Sequence, residues 1–339
     1  MIPHSSPTIE EDDIEAVEKS LRDKKLASGE ISSLFANKLK TFFNSKKAIL
    51  TPSGTMAIVH ALNLLNLGKK DEVIIPAYVC DSVAKAVIMS GATPMVVDVN
   101  RDDYNISYED TLEKISNRTK AIILPHIFGN PVQDIKAFLK LGIPIIEDIA
   151  QSIGGLFEGK RLGSFGDMSI CSFYATKMIT TGEGGALIVN SNRLIEEIDV
   201  EKNYFKMPDF QSSLGLNQLK KIDVLINRRR YIAKQYIEEL ETVPNIRIPN
   251  LNEDCIYYRF IIEVEKDLDK SIKQLNTLGI KVERYTDIVL NYLKLDINDY
   301  PNTKKAVHRV LSIPIYPSLS DENVQYIIKC IKNVIGGVR

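Results

Sequence analysis

The chain has 339 residues, a formal net charge of -1, 44% apolar residues and 26% charged residues. That length can bury a sizeable core in one two-part fold or two domains. The near-neutral charge removes any global electrostatic case for binding nucleic acid or an anionic membrane surface. The opening "MIPHSSPTIEEDD" has no basic or apolar leader region, so no signal peptide is expected. No apolar run approaches the roughly 20 residues needed to span a bilayer. The four cysteines, Cys80, Cys171, Cys255 and Cys330, are far apart and form no CxxC pair. They read as free thiols in a reducing, cytoplasmic compartment. His4, His60, His126 and His308 are equally scattered, so no metal site is expected.

From residue 48 onward short apolar runs alternate with helix-like segments. The runs are "AIL" (48–50), "EVIIPAYV" (72–79), "TPMVVDV" (93–99), "AIILPHIFG" (121–129), "IPIIEDIA" (143–150), "MSICSFY" (168–174) and "GALIVN" (185–190). Several are apolar on both faces, as strands of a mostly parallel sheet covered by helices must be. Between them, "SGTMAIVHALNLLNLG" opens with Ser53 as an N-cap and stops at Gly68. "DSVAKAVIMSG" closes at Gly91 and "VQDIKAFLKLG" at Gly142. The alternation predicts a doubly wound α/β domain, whose ligands bind beyond the carboxyl ends of the strands.

After about 213 the pattern changes. A long amphipathic helical stretch, "SSLGLNQLKKIDVLINRRRYIAKQYIEELETV", ends near Pro244. Its Arg228-Arg229-Arg230 triplet reads as a solvated or partner-facing surface. A strand in "IYYRFIIEVE", a helix in "LDKSIKQLNTLG", a strand near "VLSIPIY" and a closing helix follow. They predict a small C-terminal α+β domain. The expected division is 1–222 for the large domain and 223–339 for the small one.

Four local signals lie at strand ends. "TPSGTMAIVHAL" puts Ser-Gly-Thr at a helix start, either an ordinary N-cap or a phosphate site built from free N–H groups, with Gly54 and Thr55 at the turn. "PIIED" ends on Asp148, either a capping residue or a carboxylate facing a protonated ring nitrogen. "CSFYATKMITTGEGGALIVN" carries Lys177 ahead of a Gly-rich turn. That lysine is either a solvated turn residue or a Schiff-base lysine, and Ser172 is a second candidate phosphate ligand. "LPHIFGNP" holds His126, read as a satisfied structural histidine without a catalytic role. Phosphate site, strand-end Asp and lysine together are what pyridoxal 5'-phosphate requires.

In order and spacing, "PSGTMAI", "DEVIIPAYV", "GATPMVVDV", "LPHIFGNP", "IEDIAQSIGGLFEGKRLGSFGDMSICSFYATK" and "GEGGALIVN" resemble the DegT/DnrJ/EryC1/StrS family of sugar aminotransferases. "LGLNQLKKID", with "RRRYIAKQY" after it, and "SIPIYPSLSDENV" are similar too. The resemblance implies the pyridoxal-phosphate transferase fold type I. It implies that Lys177 carries the covalent link and moves protons, and that Asp148 pairs with the pyridinium nitrogen. Gln151 would contact the ring hydroxyl, Gly54, Thr55 and Ser172 the phosphate, and Tyr78 the ring. Ala150 would lie under the ring, and Glu147, on the other side of the strand, would be structural. The resemblance also implies a homodimer with shared active sites, moving an amino group, usually from glutamate, to a keto group of a nucleotide-linked sugar. Elimination or dehydration, cyclitol amination, and a non-catalytic regulatory role are the alternatives. One branch of the family has histidine at the lysine position and removes oxygen, so Lys177 points to transamination.

The sequence departs from the family pattern at three places. Cys80 stands where a second aromatic usually stacks on the ring. The stretch between the "GEGG" strand and the helix ending in "QL" is shortened. The family's phosphate-binding Asn falls on Tyr204, with Asn203 one residue off.

Overall fold

All seven apolar runs become strands of one sheet. They are β1 (Lys47–Thr51), β2 (Glu72–Pro76), β3 (Thr93–Val97), β4 (Thr119–Pro125), β5 (Ile145–Asp148), β6 (Met168–Ser172) and β7 (Gly185–Val189). The computed structural model describes residues 1–198, 206–249, 251–286 and 288–337. Tyr204 and Asn203 lie outside them. The strand order is β1-β7-β6-β5-β4-β2-β3, and only β7 runs against its neighbours in this sheet.

Strand alternation sorts the side chains into two cores. Val73, Ile75, Ile123 and Leu187 pack under α3 (Gly54–Asn63) and α4 (Asp81–Met89). Ile74, Ile122, Leu124, Ala186 and Ile188 pack on the other face with Phe35, Leu39 and Phe138. Phe35 and Leu39 come from α2 (Glu30–Phe42), which follows α1 (Glu11–Arg22); the apolar-run reading does not reach either helix. Both faces are thus covered, which explains why these strands lack a polar side.

The long C-terminal stretch differs from expectation. It is two helices, α5 (Asp209–Lys220) and α6 (Ile222–Leu240), rather than one. Lys221, at the break, reaches Glu10, Asp12 and Asp13 at 2.9, 2.8 and 2.7 Å. Asn217 donates to Asp12 and Asp13, and Gln218 to Asp13 and the Thr8 carbonyl. "NQLKK" therefore ties α1 to the α5–α6 corner, and Lys221 offsets part of the charge of the acidic trio.

A second sheet, β8 (Ile246–Arg247), β9 (Phe260–Val264) and β10 (Val310–Ile313), is antiparallel. It packs with α7 (Leu268–Thr277) and α9 (Asp321–Val334) around a third core. The two units interlock. Ile222, Leu225 and Ile226 of α6 belong to the large core, and Ile232, Ala233, Tyr236 and Leu240 to the small one. The chain start also joins the second unit, where Ile2 pairs with Ile280 and His4 Nε2 lies 2.8 Å from Ser312 Oγ. Asp98, just beyond β3, accepts from the Asn302 amide and from the Thr303 amide and hydroxyl, at the start of α8 (Pro301–Arg309).

The arginine triplet is corrected by the structure. Arg229 is 3% exposed and donates to the carbonyls of Tyr257, Tyr258 and Ile315 at 3.3, 3.1 and 2.8 Å. Burial pulls its guanidinium down to about 10. Arg228 bonds the Pro317 and Leu319 carbonyls, and Arg230 those of Cys255 and Asp254. Three consecutive arginines thus hold irregular backbone of the small unit, whose carbonyls have no strand partner.

Candidate active site

The candidate residues collect where β1, β4, β5 and β6 end. Ser53 caps α3, its Oγ accepting from the Met56 amide at 3.2 Å, a contact of about 1 kcal/mol. The amides of Gly54 and Thr55 follow at the first two helical positions, where no intrahelical acceptor exists. Ser172, at the end of β6, stands against them. A β-carbon on Gly54 would lie 2.9 Å from Ser172 Cβ and 3.3 Å from its Oγ. A β-carbon on Gly185 would lie 2.5 Å from the Ser53 carbonyl carbon and 2.7 Å from the Gly54 nitrogen. The "GEGG" glycine is therefore needed for close approach of β7 to the helix start, beyond any turn geometry. Two hydroxyls, bare amides and a helix N-terminus form a cradle that fits a phosphate.

Strand alternation separates the acidic pair at the end of β5. Glu147 is fully buried and accepts from the amides of Gly163, Phe165 and Gly166 at 2.8, 2.7 and 2.7 Å. His126 completes it, Nε2 to Oε2 at 3.2 Å, while its Nδ1 accepts from the Val132 amide. Both residues are fully used in holding loops, as expected for structural roles. Asp148 is 7% exposed, yet among the described residues its carboxylate accepts one hydrogen bond, from the Ala150 amide at 2.9 Å. Burial raises its carboxyl above the ordinary value, while that amide, Lys177 and His126 pull the other way. A buried carboxylate with so few partners fits a cationic ligand group such as a protonated ring nitrogen.

Gln151 is half-buried, and its Oε1 accepts from the Phe128 amide at 2.7 Å. That fixes the side-chain amide and leaves Nε2 to donate to a ligand oxygen. Phe128 has φ 61°, and Asn105 holds the surrounding loop through the Ile127 amide and the Asn130 and Pro131 carbonyls. Gly129, at φ 84°, has no room for a β-carbon, which would lie 2.9 Å from the Tyr258 amide nitrogen and 3.2 Å from the Gln151 carbonyl. Tyr78 packs against other aromatics. It is 0% exposed, its ring enclosed by Tyr104, Phe128 and Tyr285. Cys80, half-buried at the N-cap of α4, is the more accessible of the two, with Sγ 2.5 Å from Ser82 Oγ.

Lys177 is half-buried in the link between β6 and β7, its amide bonded to the Tyr174 carbonyl at 2.9 Å. The link is fastened below it by Thr181 and Thr180 on the Phe173 carbonyl and by the Phe173 amide on Gly184. The Lys177 ammonium lies 5.0 Å from the centre of the Tyr258 ring. Sequence reasoning missed Tyr258, because "IYYRFIIEVE" carries only a strand signal. It singled out Gly54, Thr55, Asp148, Gln151, Ser172 and Lys177, which all lie at or just past the carboxyl ends of β1, β5 and β6.

Residues 7–332 match the model of the DegT/DnrJ/EryC1/StrS aminotransferase family. The chain belongs to that family. It is an aminotransferase dependent on pyridoxal phosphate, and its fold is that of the solved sugar aminotransferases. It is 28% identical to the spore coat polysaccharide biosynthesis protein SpsC of Bacillus subtilis, over 99% of this chain and 97% of that one. It is 27% identical to the GDP-perosamine synthase of Vibrio cholerae, over 98% and 99% of the two chains. Among solved structures it is similar to Spr1654 of Streptococcus pneumoniae, assigned as a sugar aminotransferase, in its PLP-form. There the TM-score is 0.91 at 26% identity, covering 100% of this chain and 99% of that one. The match to SpsC spans 380 positions, more than the 339 of this chain, so SpsC carries segments that this aminotransferase lacks.

For this aminotransferase, Asp148→Asn has two expected effects of opposite sign. A carboxyl held above its unfolded value loses stability as pH rises through the raised value, and the penalty persists at neutral pH. Asn removes that penalty, so the cofactor-free variant melts higher than wild type at pH 7. The same change removes the carboxylate that would pair with a protonated ring nitrogen, and with that role turnover is expected to fall by about a hundredfold or more. Thermal melts without cofactor and rates with it check the two halves; wild-type turnover would refute the role.

Proposed function

We propose that this chain transfers an amino group, from glutamate, to the keto carbon of a nucleotide-linked sugar. Pyridoxal phosphate supplies an electron sink when bound. Lys177 holds the cofactor covalently in the resting enzyme and, once freed, carries the proton between the two carbons that exchange the amine. Asp148 keeps the ring nitrogen protonated. Gln151 Nε2 donates to the ring oxygen. The amides of Gly54 and Thr55 and the Ser172 hydroxyl take the phosphate. Ala150 is small enough to lie under the ring, and Cys80, more accessible than Tyr78, would be available to the other face.

The observation that carries this reading is Lys177 beside the buried, under-partnered Asp148 and the Gly54–Ser172 cradle. Two relatives named for polysaccharide biosynthesis and perosamine synthesis support the sugar acceptor. We place the enzyme in the cytoplasm as a homodimer with shared sites, a setting consistent with four free cysteines. No helix among the described residues is long and apolar enough to cross a membrane. We retain 1–222 and 223–339 as the two domains, with α6 as their common spine.

The test is incubation of the purified protein with glutamate and a panel of keto-sugar nucleotides, read by mass. The expected result is one amino-sugar nucleotide and an equal amount of 2-oxoglutarate. A sugar that loses water without gaining nitrogen, with no 2-oxoglutarate formed, would show the elimination alternative instead.

A further inference from the structure

We propose that Tyr258 is a positioning residue for Lys177, its ring face receiving the ammonium whenever the lysine is not covalently engaged. The inference rests on the assignment of Lys177 made above. Its basis is geometric. Tyr258 belongs to the small unit, yet its ring lies beneath the Lys177 ammonium at 5.0 Å, within cation–π range. Its hydroxyl is 3.5 Å from Thr176 Oγ1, on the residue immediately before Lys177. The same side chain therefore meets the lysine's segment twice.

Tyr258 is itself seated firmly. Arg229 holds its carbonyl at 3.1 Å, and Gly129 presses on its amide so closely that a β-carbon there would lie 2.9 Å away. The ring is 8% exposed and carries a second cation, Arg259, 5.9 Å from its centre. Arg259 is in turn paired with Glu283 at 3.0 Å. Burial alone would raise the Tyr258 phenol; Lys177, Arg259, the Thr176 hydroxyl and Arg229 outweigh it and hold the phenol below its ordinary value. A ring surrounded by cations and fixed at its backbone is a rigid platform. A flexible four-carbon side chain that must detach and return during each turnover needs such a resting place.

The experiment uses the full-length protein stripped of cofactor and an amine-acylating reagent at one fixed pH, with the Lys177 peptide quantified by mass. Tyr258→Phe keeps the ring, and its labelling rate is expected to stay within about twofold of wild type. Tyr258→Leu removes the ring face, and Lys177 is expected to label about three to ten times faster. Should the leucine variant fail to fold, progressively fluorinated phenylalanines at position 258 keep the shape while weakening the ring face; labelling is then expected to rise with each fluorine. Lys177 labelling at the wild-type rate in the folded leucine variant, or no trend across the fluorinated series, would overturn the proposal. In the cofactor-loaded protein, Tyr258→Leu is also expected to lower kcat more than it raises KM for the sugar. The labelling readout needs neither cofactor nor sugar. A failed sugar screen with an intact labelling pattern therefore sinks the substrate reading and leaves this one standing.

Discussion

Lys177→Ala is expected to abolish turnover, lowering kcat by at least about a thousandfold, because the covalent link and the proton carrier are lost together. Cofactor content should fall far less. The Gly54–Thr55 amides, Ser172 and Asp148 remain in place, and none depends on Lys177 for its position. The variant should therefore emerge from desalting with cofactor bound, and reduction with borohydride should leave no label on the Lys177 peptide. Wild-type protein treated in the same way should carry the label there. Residual turnover within about tenfold of wild type would remove Lys177 from the mechanism. Retention of cofactor matters equally, since it separates a chemical role for the lysine from collapse of the site.

Arg229→Ala should be the most damaging substitution away from the site, at about 3 kcal/mol of folding stability. One buried guanidinium serves three carbonyls, those of Tyr257, Tyr258 and Ile315. Alanine leaves all three buried without a donor and opens a cavity in α6. Arg229→Lys, with a point charge in place of a planar fork, should recover only part of the loss. Urea unfolding of the cofactor-free protein measures both. Because Tyr258 sits under Lys177, the alanine variant should also lose cofactor on dialysis faster than wild type. A stability within about 0.5 kcal/mol of wild type would mean that these carbonyls find water instead.

The contrast between these two residues shows what a sequence makes visible. Lys177, Asp148 and the Ser-Gly-Thr turn were readable because each follows a strand whose two buried faces announce it. Alternation along β5 then told Asp148 from Glu147, and the four donors around Glu147 agree with that sorting. Arg229 was unreadable for the converse reason. Its partners are backbone carbonyls, the same in every residue, contributed by segments near 257 and 315 that no local pattern joins to α6. A charge on an amphipathic helix then looks like solvent-facing surface. The surroundings of Tyr78 were equally hidden, since three aromatic neighbours from other segments enclose its ring. The split at Lys221 depends on an acidic trio more than 200 positions earlier. Gly185 was noticed as a turn former, whereas the contact that excludes any side chain is with Ser53 and Gly54 on another strand's exit.

The docking of the first four residues on the second unit has a consequence for synthesis on the ribosome. His4 and Ser312 are 308 positions apart, and Ile2 takes its place only beside Ile280. The segment that holds Ile2 and His4 is made long before its partners are. In the meantime the seven-stranded sheet can assemble from strands that all lie before residue 190. Docking of that segment is thus delayed until the C-terminal sheet exists, and it becomes a late step of folding.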